Sequence, residues 1–241
     1  MENIDSSIEE LVQWLKDKVY NAKVKGLVFG LSGGIDSAVV AALAKKAFPD
    51  NSLGIIMPCH SHSNDENHAL LVAEALNLET SKVDLSDTYD ILLNSIKLDS
   101  ENKMAKANIK PRLRMTTLYY FAQNRGYLVA GTGNKSEVEV GYFTKHGDSG
   151  VDLFPIGDFV KSEVRELAKA LEIPDIIINK PPSAGLWENQ TDETEMGFSY
   201  DILDNYIKTG EGPEVIVDKI KKMNAISSHK RVYPPIFNYN K

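Results

Sequence analysis

The chain has 241 residues, 42% of them apolar and 25% charged, with a formal net charge of −7 at pH 7. That is enough chain for one large domain or two small ones with an ample core, and the acid excess argues mildly against nucleic acid as the main partner. No apolar run approaches the roughly 18 residues of a membrane span, the acidic amphipathic start MENIDSSIEELVQW resembles neither a signal nor a transit peptide, and the lone Cys59 excludes an internal disulfide framework and suits a reducing cytosol.

In chain order, DSSIEELVQWLKDKVY carries a capping-box pattern from Ser6 to Glu9, and Ile8, Leu11, Val12, Leu15 and Val19 keep helical spacing. GLVFGL (26–31) is a short apolar run closed by glycines, as for a buried strand. IDSAVVAALAKKAF (35–48) is alanine-rich and helical, with Pro49 marking its end. Strand, helix and strand follow at 52–58, 64–77 and 80–85. LSDTYDILLNSIK and KPRLRMTTLYYFAQNRG read as helices, YLVAGTGN (127–134) as a strand running into a glycine-rich tip, and residues 158–173 as an amphipathic helix. Residues 179–200, with Pro181 and Pro182, read as a long polar loop, and two more helices follow it. The alternation predicts a single α/β domain over 1–241: three layers, doubly wound, with a mostly parallel five-stranded sheet and helices on both faces.

The stretch GLSGGIDS, Gly30 to Ser37, lies at the carboxyl end of the first strand, where open α/β sheets bind ligands. Gly33 and Gly34 permit close approach of an anion, Ser32 and Ser37 offer hydroxyls, and the N–H groups of the next helix favour phosphate. It is not the common P-loop, because no lysine follows the glycines. Asp36 is the odd residue: a carboxylate beside phosphate repels it unless a divalent cation lies between them. The turn therefore points to a metal–polyphosphate complex, most simply Mg-ATP; a helix-capping Gly/Ser turn is the competing reading. The second tip, AGTGNKSEVEVGYFTKHGDSGVD, repeats the design, and Glu137 or Glu139 is the acid there that could complete a magnesium site with Asp36.

SGGIDS resembles the pyrophosphate loop of the N-type ATP pyrophosphatases. NIKPRLRM, GTGNKSE, GYFTKHGDSGVDLFPI, KPPSAGLW, QTDETEMGFSYDILD and SSHKRVYPP narrow the likeness to ammonia-dependent NAD synthetases, over roughly residues 26–235. That resemblance implies a ligase in which the nicotinate carboxylate of deamido-NAD attacks the ATP α-phosphate, pyrophosphate leaves, and ammonia displaces AMP from the adenylate. It implies that Gly30, Leu31, Ser32, Gly33, Gly34, Ile35, Asp36 and Ser37 cradle the ATP phosphates, with Thr132, Lys161 and Ser183 also on ATP. Asp36 and Lys161 would be the catalytic pair, and Asp36 and Glu137 would hold Mg2+. Arg112, Lys145, Asp152, His229 and Lys230 would contact deamido-NAD. It further implies a cytoplasmic homodimer and a segment, 183–196, that orders over the site. Pro111 departs from the alanine common in the family and stiffens the turn before Arg112.

The other readings are weaker. Cys59, His60, His62 and His68 are zinc-ligand types, but their spacing matches no compact zinc site. An RNA-thiolating ATP pyrophosphatase calls for more sulfur chemistry and a basic surface. A glutaminase calls for an added domain with its own nucleophile, so the expected nitrogen source is ammonia.

Overall fold

The structure is a computed structural model and describes residues 3–98, 101–183 and 191–239. Residues 184–190, within the segment expected to close over the site, lie outside the described residues. β1 (Gly26–Gly30) and β2 (Ser52–Ile56) are apolar and almost wholly buried, as strands covered on both faces must be. β3 (Glu79–Lys82) is a more exposed edge, and β4 (Tyr127–Val129) lies on the far side of β1. All pairings are parallel, in the order β3-β2-β1-β4. The described sheet thus has four strands where five were expected. At the β4 edge, Leu153 makes only an isolated parallel bridge to Ala130, because the chain leaves the ladder for turns around 155–159.

The helices are α1 (Ile4–Asn21), α2 (Ile35–Ala47), α3 (Ser63–Ala75), α4 (Ser86–Ile96), α5 (Lys103–Ala107), α6 (Ile109–Arg125), α7 (Lys135–Val140), α8 (Lys161–Ala170), α9 (Asp175–Ile178), α10 (Asp192–Met196), α11 (Tyr200–Thr209) and α12 (Glu214–Ser227). The two-residue period of the strands sorts them into layers. Leu27 and Phe29 join α1, α2, α3 and α8 in one core, whereas Val28, Leu53, Ile55 and Val129 join α4 and α6 in the other. The alanines of α2 let that helix lie close to the sheet under α1 and α8. A third cluster, centred on Tyr200, Leu203 and Ile220, fastens α11 and α12 to α7.

Two local features differ from the sequence reading. The cap of α1 is Asn3, not Ser6: Asn3 has the extended backbone of a cap and its side chain accepts from Ser6 N at 3.2 Å. Ser6 Oγ instead donates to Glu10. The strand expected to run through residue 134 ends at Val129. Its tip then opens α7, whose box pairs Asn134 Oδ1 with Glu137 N (3.0 Å) and Glu137 Oε2 with Asn134 N (3.2 Å).

Because β2 and β3 run to one side of β1 and β4 to the other, the strand order reverses between β1 and β4. Crevices form at the carboxyl ends of strands at such a point.

Candidate active site

A cavity of about 560 Å³ opens there. Its walls come from the turn after β1, the tip after β4, the loop after β2, and α6. Gly33 takes φ +74°, and a Cβ on it would lie 2.5 Å from Asp65 O and 2.7 Å from His68 Cβ, so the turn is pressed onto the first turn of α3. Ser37 Oγ accepts from Ser32 N at 3.3 Å and donates to Gly34 O at 2.9 Å, while Gly34 N donates to Ser32 Oγ at 3.3 Å. The serines hold the turn closed upon itself at the mouth of α2, whose free N–H groups carry partial positive charge.

Opposite the turn lies Lys161, the first residue of α8, only 1% exposed. Its ammonium meets Asp36 Oδ2 at 2.5 Å and Glu137 Oε1 at 3.6 Å, and lies 5.0 Å from the centre of the Tyr200 ring. Asn134 Nδ2 donates to the other Asp36 oxygen at 2.9 Å. Burial alone would lower the Lys161 ammonium, but Asp36 and then Glu137 hold it above its ordinary value. Burial and the Asp36 charge push the Glu137 carboxyl up to about 8, against the pull of Lys161. Glu139, the competing acid by type, faces away: its Oε1 accepts from Asn224 Nδ2 at 2.9 Å on α12. Among the described residues, the carboxylates within 4 Å of the Lys161 ammonium are therefore Asp36 and Glu137, with Asp192 acting from farther off.

Two hard oxygen donors on one point suit a magnesium ion that takes its remaining ligands from phosphate and water. The donor set fits, and Asp36 and Glu137 would be the protein ligands. Glu137 then supplies a pH test. Without a divalent cation, its raised pKa favours the folded state fully below its ordinary 4.5, and that favour is lost as pH rises through about 8. Cation binding needs the ionised carboxylate, so it should release a proton in that window. Magnesium is expected to raise Tm more at pH about 8 than at about 6; the same increment at both, or one unaltered in Glu137→Gln, would contradict the assignment.

What sequence reasoning did not find is the scaffold behind Lys161. Ser136 Oγ accepts from Lys161 N at 3.0 Å and donates to Asp204 Oδ1 at 2.6 Å; the other Asp204 oxygen accepts from Ser162 N at 2.7 Å. Asp204 is 3% exposed and sits on α11, so one carboxylate ties α7 and the positive end of α8 together. Asp204→Asn is expected to lower Tm by several degrees and turnover by about tenfold, since a buried donor–acceptor set loses its match; wild-type values for both would overturn that role. Tyr200 adds a lid from below, its hydroxyl donating to Asp192 Oδ2 at 3.0 Å. The legible signals were NKSE as an asparagine-led capping box and FSYD as a capped start of α11; the long-range pairings had none.

Of the other expected residues, Thr132, Ser183 and Lys230 line the cavity. Lys230 Nζ also donates to Gly141 O and Phe143 O, both at 2.8 Å. Arg112, Lys145 and His229 form a chain outside it: Arg112 Nη2 donates to Lys145 O at 3.2 Å, and Lys145 Nζ to His229 O at 2.6 Å. Asp152 is turned to the sheet edge, accepting from Val129 N at 2.8 Å and Tyr119 OH at 3.1 Å. Ser61 and His62, in the loop after β2, border the cavity. Cys59 Sγ is buried against Leu85 O, while exposed His60 faces Asp90 at 2.9 Å and His62 caps α3.

Fold and site together define a doubly wound α/β protein of the nucleotide-binding class, with its anion turn facing a lysine–carboxylate centre. A family model described as NAD synthase matches residues 7–234. The "NH(3)-dependent NAD(+) synthetase" of Carboxydothermus hydrogenoformans is 55% identical over 97% of this chain and 98% of that protein. Among solved structures, "NMN synthetase" from Francisella tularensis superposes with TM-score 0.95 at 37% identity, covering 98% of this chain and 99% of that one. "NH3-dependent NAD synthetase" from Campylobacter jejuni, in complex with nitrate, superposes with TM-score 0.83 at 29% identity, over 98% and 100%. The chain belongs to the NAD synthase family.

Proposed function

We propose that this chain is a carbon–nitrogen ligase that amidates deamido-NAD with ammonia, at the expense of ATP, to give NAD, AMP and pyrophosphate. The observation that carries the reading is the convergence of Asp36, Glu137 and Lys161 beneath the Gly30–Ser37 turn. The near full-length likeness to ammonia-dependent NAD synthetases stands beside it. A carboxylate is a poor acyl donor; transfer of adenylate to it creates a mixed anhydride whose leaving group is AMP. In our reading Gly30, Leu31, Ser32, Gly33, Gly34, Ile35 and Ser37 hold the phosphates through N–H and hydroxyl donors, joined by Thr132 and Ser183. Lys161, locked by Asp36 and by the Ser136–Asp204 scaffold, places a fixed positive charge where negative charge builds on the α-phosphate. Magnesium, held by Asp36 and Glu137, would neutralise the departing pyrophosphate. Arg112, Lys145, Asp152, His229 and Lys230 would bind the dinucleotide.

The chain would act as a single synthetase domain in the cytoplasm and as a homodimer. Among the described residues no helix is long and apolar enough to cross a membrane. Ile91, Leu92 and Ile96 of α4 leave an exposed apolar strip that a second copy would cover.

A second reading concerns the acid acted on. The Francisella protein, named for mononucleotide synthesis, superposes with the higher TM-score of the two solved structures, so nicotinate mononucleotide is the competing acceptor. Purified protein with ATP, magnesium and ammonium should release one AMP per amide formed, with deamido-NAD preferred. Higher kcat/KM for the mononucleotide would move the assignment to the second reading. Comparable rates with glutamine would overturn ammonia as the nitrogen source.

A further inference from the structure

The turn from Gly30 to Ser37 has no lysine or arginine of its own, yet it would have to release a highly charged pyrophosphate. Lys161 faces the carboxylates on the other wall. A second lysine reaches the turn directly. Lys180 Nζ donates to Gly33 O at 3.2 Å and to Asp65 Oδ1 at 2.8 Å. It borders the same cavity as Ser32, Gly34 and Ser37, and precedes the cavity residue Ser183 by three positions.

Both ends of this contact bear on the turn. No peptide in the described chain is cis, so the Gly33–Gly34 peptide is trans and its C=O and N–H point in opposite directions. Holding Gly33 O toward Lys180 therefore turns Gly34 N–H the other way, to Ser32 Oγ. The pairing with Asp65 is also an exchangeable one: the Lys180 and Asp65 side chains are 23% and 31% exposed, and partly exposed ion pairs are weak. A lysine head has three rotatable donors on a flexible stem, so it can keep one contact and hand another to an incoming anion.

We propose that Lys180 is the phosphate-binding cation that the glycine turn lacks. The Gly33 carbonyl holds it at the turn, Asp65 gives up its contact to the incoming anion, and the ammonium donates to the β- and γ-phosphates of ATP and to the pyrophosphate that leaves. This rests on the ATP-dependent reading above and deepens it. It differs from the role given to Lys161, which stands on the carboxylates and serves the reacting α-phosphate.

The test is calorimetric titration of the full-length protein with inorganic pyrophosphate, and separately with AMP, both in magnesium. Lys180→Met should weaken pyrophosphate about tenfold or more, the size of one charge-assisted hydrogen bond, with AMP changed less than about twofold. Lys180→Arg should restore most of the loss. Asp65→Asn should leave pyrophosphate binding unchanged or tighter, because it frees the ammonium. Equal weakening in Asp65→Asn and Lys180→Met would overturn the proposal, since the pair would then serve only to brace α3. So would unchanged pyrophosphate binding in Lys180→Met, or equal losses of pyrophosphate and AMP. Failure of the activity reading would show separately, as wild-type protein that releases no AMP from ATP, ammonium and deamido-NAD.

Discussion

Lys161→Met is expected to cut AMP release by about a thousandfold and to destabilise the protein at the same time. Removing one fixed donor to a developing charge costs 10²–10³ in kcat by itself, as a rough scale. Here the loss is compounded. Asp36 and Glu137 would be left beside each other in a site where, among the described residues, Lys161 is the cation that pairs with them at 2.5 and 3.6 Å, and unpairing a buried charge costs about 3–5 kcal/mol. Magnesium should return part of the stability, because it replaces the missing charge, but little of the rate. Asp36→Asn attacks the same centre from the other side: it leaves Lys161 paired with Glu137 alone and removes a carboxylate that we propose holds magnesium. Its rate loss should match that of Lys161→Met, and magnesium should rescue its stability less. Steady-state AMP release and thermal melts with and without magnesium check both. A Lys161→Met enzyme within tenfold of wild type would remove Lys161 from the chemistry.

Gly33→Ala is expected to abolish measurable ATP binding and lower Tm by roughly 5 °C or more. An alanine at φ +74° bears the left-handed penalty of about 1–2 kcal/mol. Its Cβ would also overlap Asp65 O and Ala69 N, at 2.5 and 2.8 Å, and these are backbone atoms of α3 that cannot swing aside. The turn must therefore lift off α3, which breaks the Lys180 contact with Gly33 O. Gly34→Ala is the control for stability: nothing lies closer than Ser32 Oγ at 3.4 Å, so its Tm should stay near wild type. Equal melting of the two variants would show that the packing on α3 is not what makes Gly33 obligatory.

These two residues also mark what could be read in the sequence. Gly33 and Asp36 were legible because one is a conformational exception and the other an electrostatic one: a carboxylate in an anion turn calls for a cation. β1, β2 and α2 were legible as well, since an apolar run or an alanine-rich run can be satisfied only by burial. Asn134, Asp204 and Lys180 were not. Their partners lie 98, 68 and 147 positions away, and a residue's type says nothing about such a pairing until the sheet order is known. The expected count of five strands, for which no fifth segment was placed, is not met in the described sheet. The stretch around Leu153 has strand-like residues, but turns on either side leave it a single bridge. Asn3 took the cap from Ser6 because Ser and Asn compete on nearly equal terms at that position.

If the lysine–carboxylate centre serves transfer of adenylate to a carboxylate, deamido-NAD carrying oxygen-18 in both carboxylate oxygens will report it. Turnover with ATP, magnesium and ammonium should place one labelled oxygen in AMP, leave the other in the amide of NAD, and put none in pyrophosphate. AMP without label, or label in pyrophosphate, would rule out attack by the carboxylate on the α-phosphate.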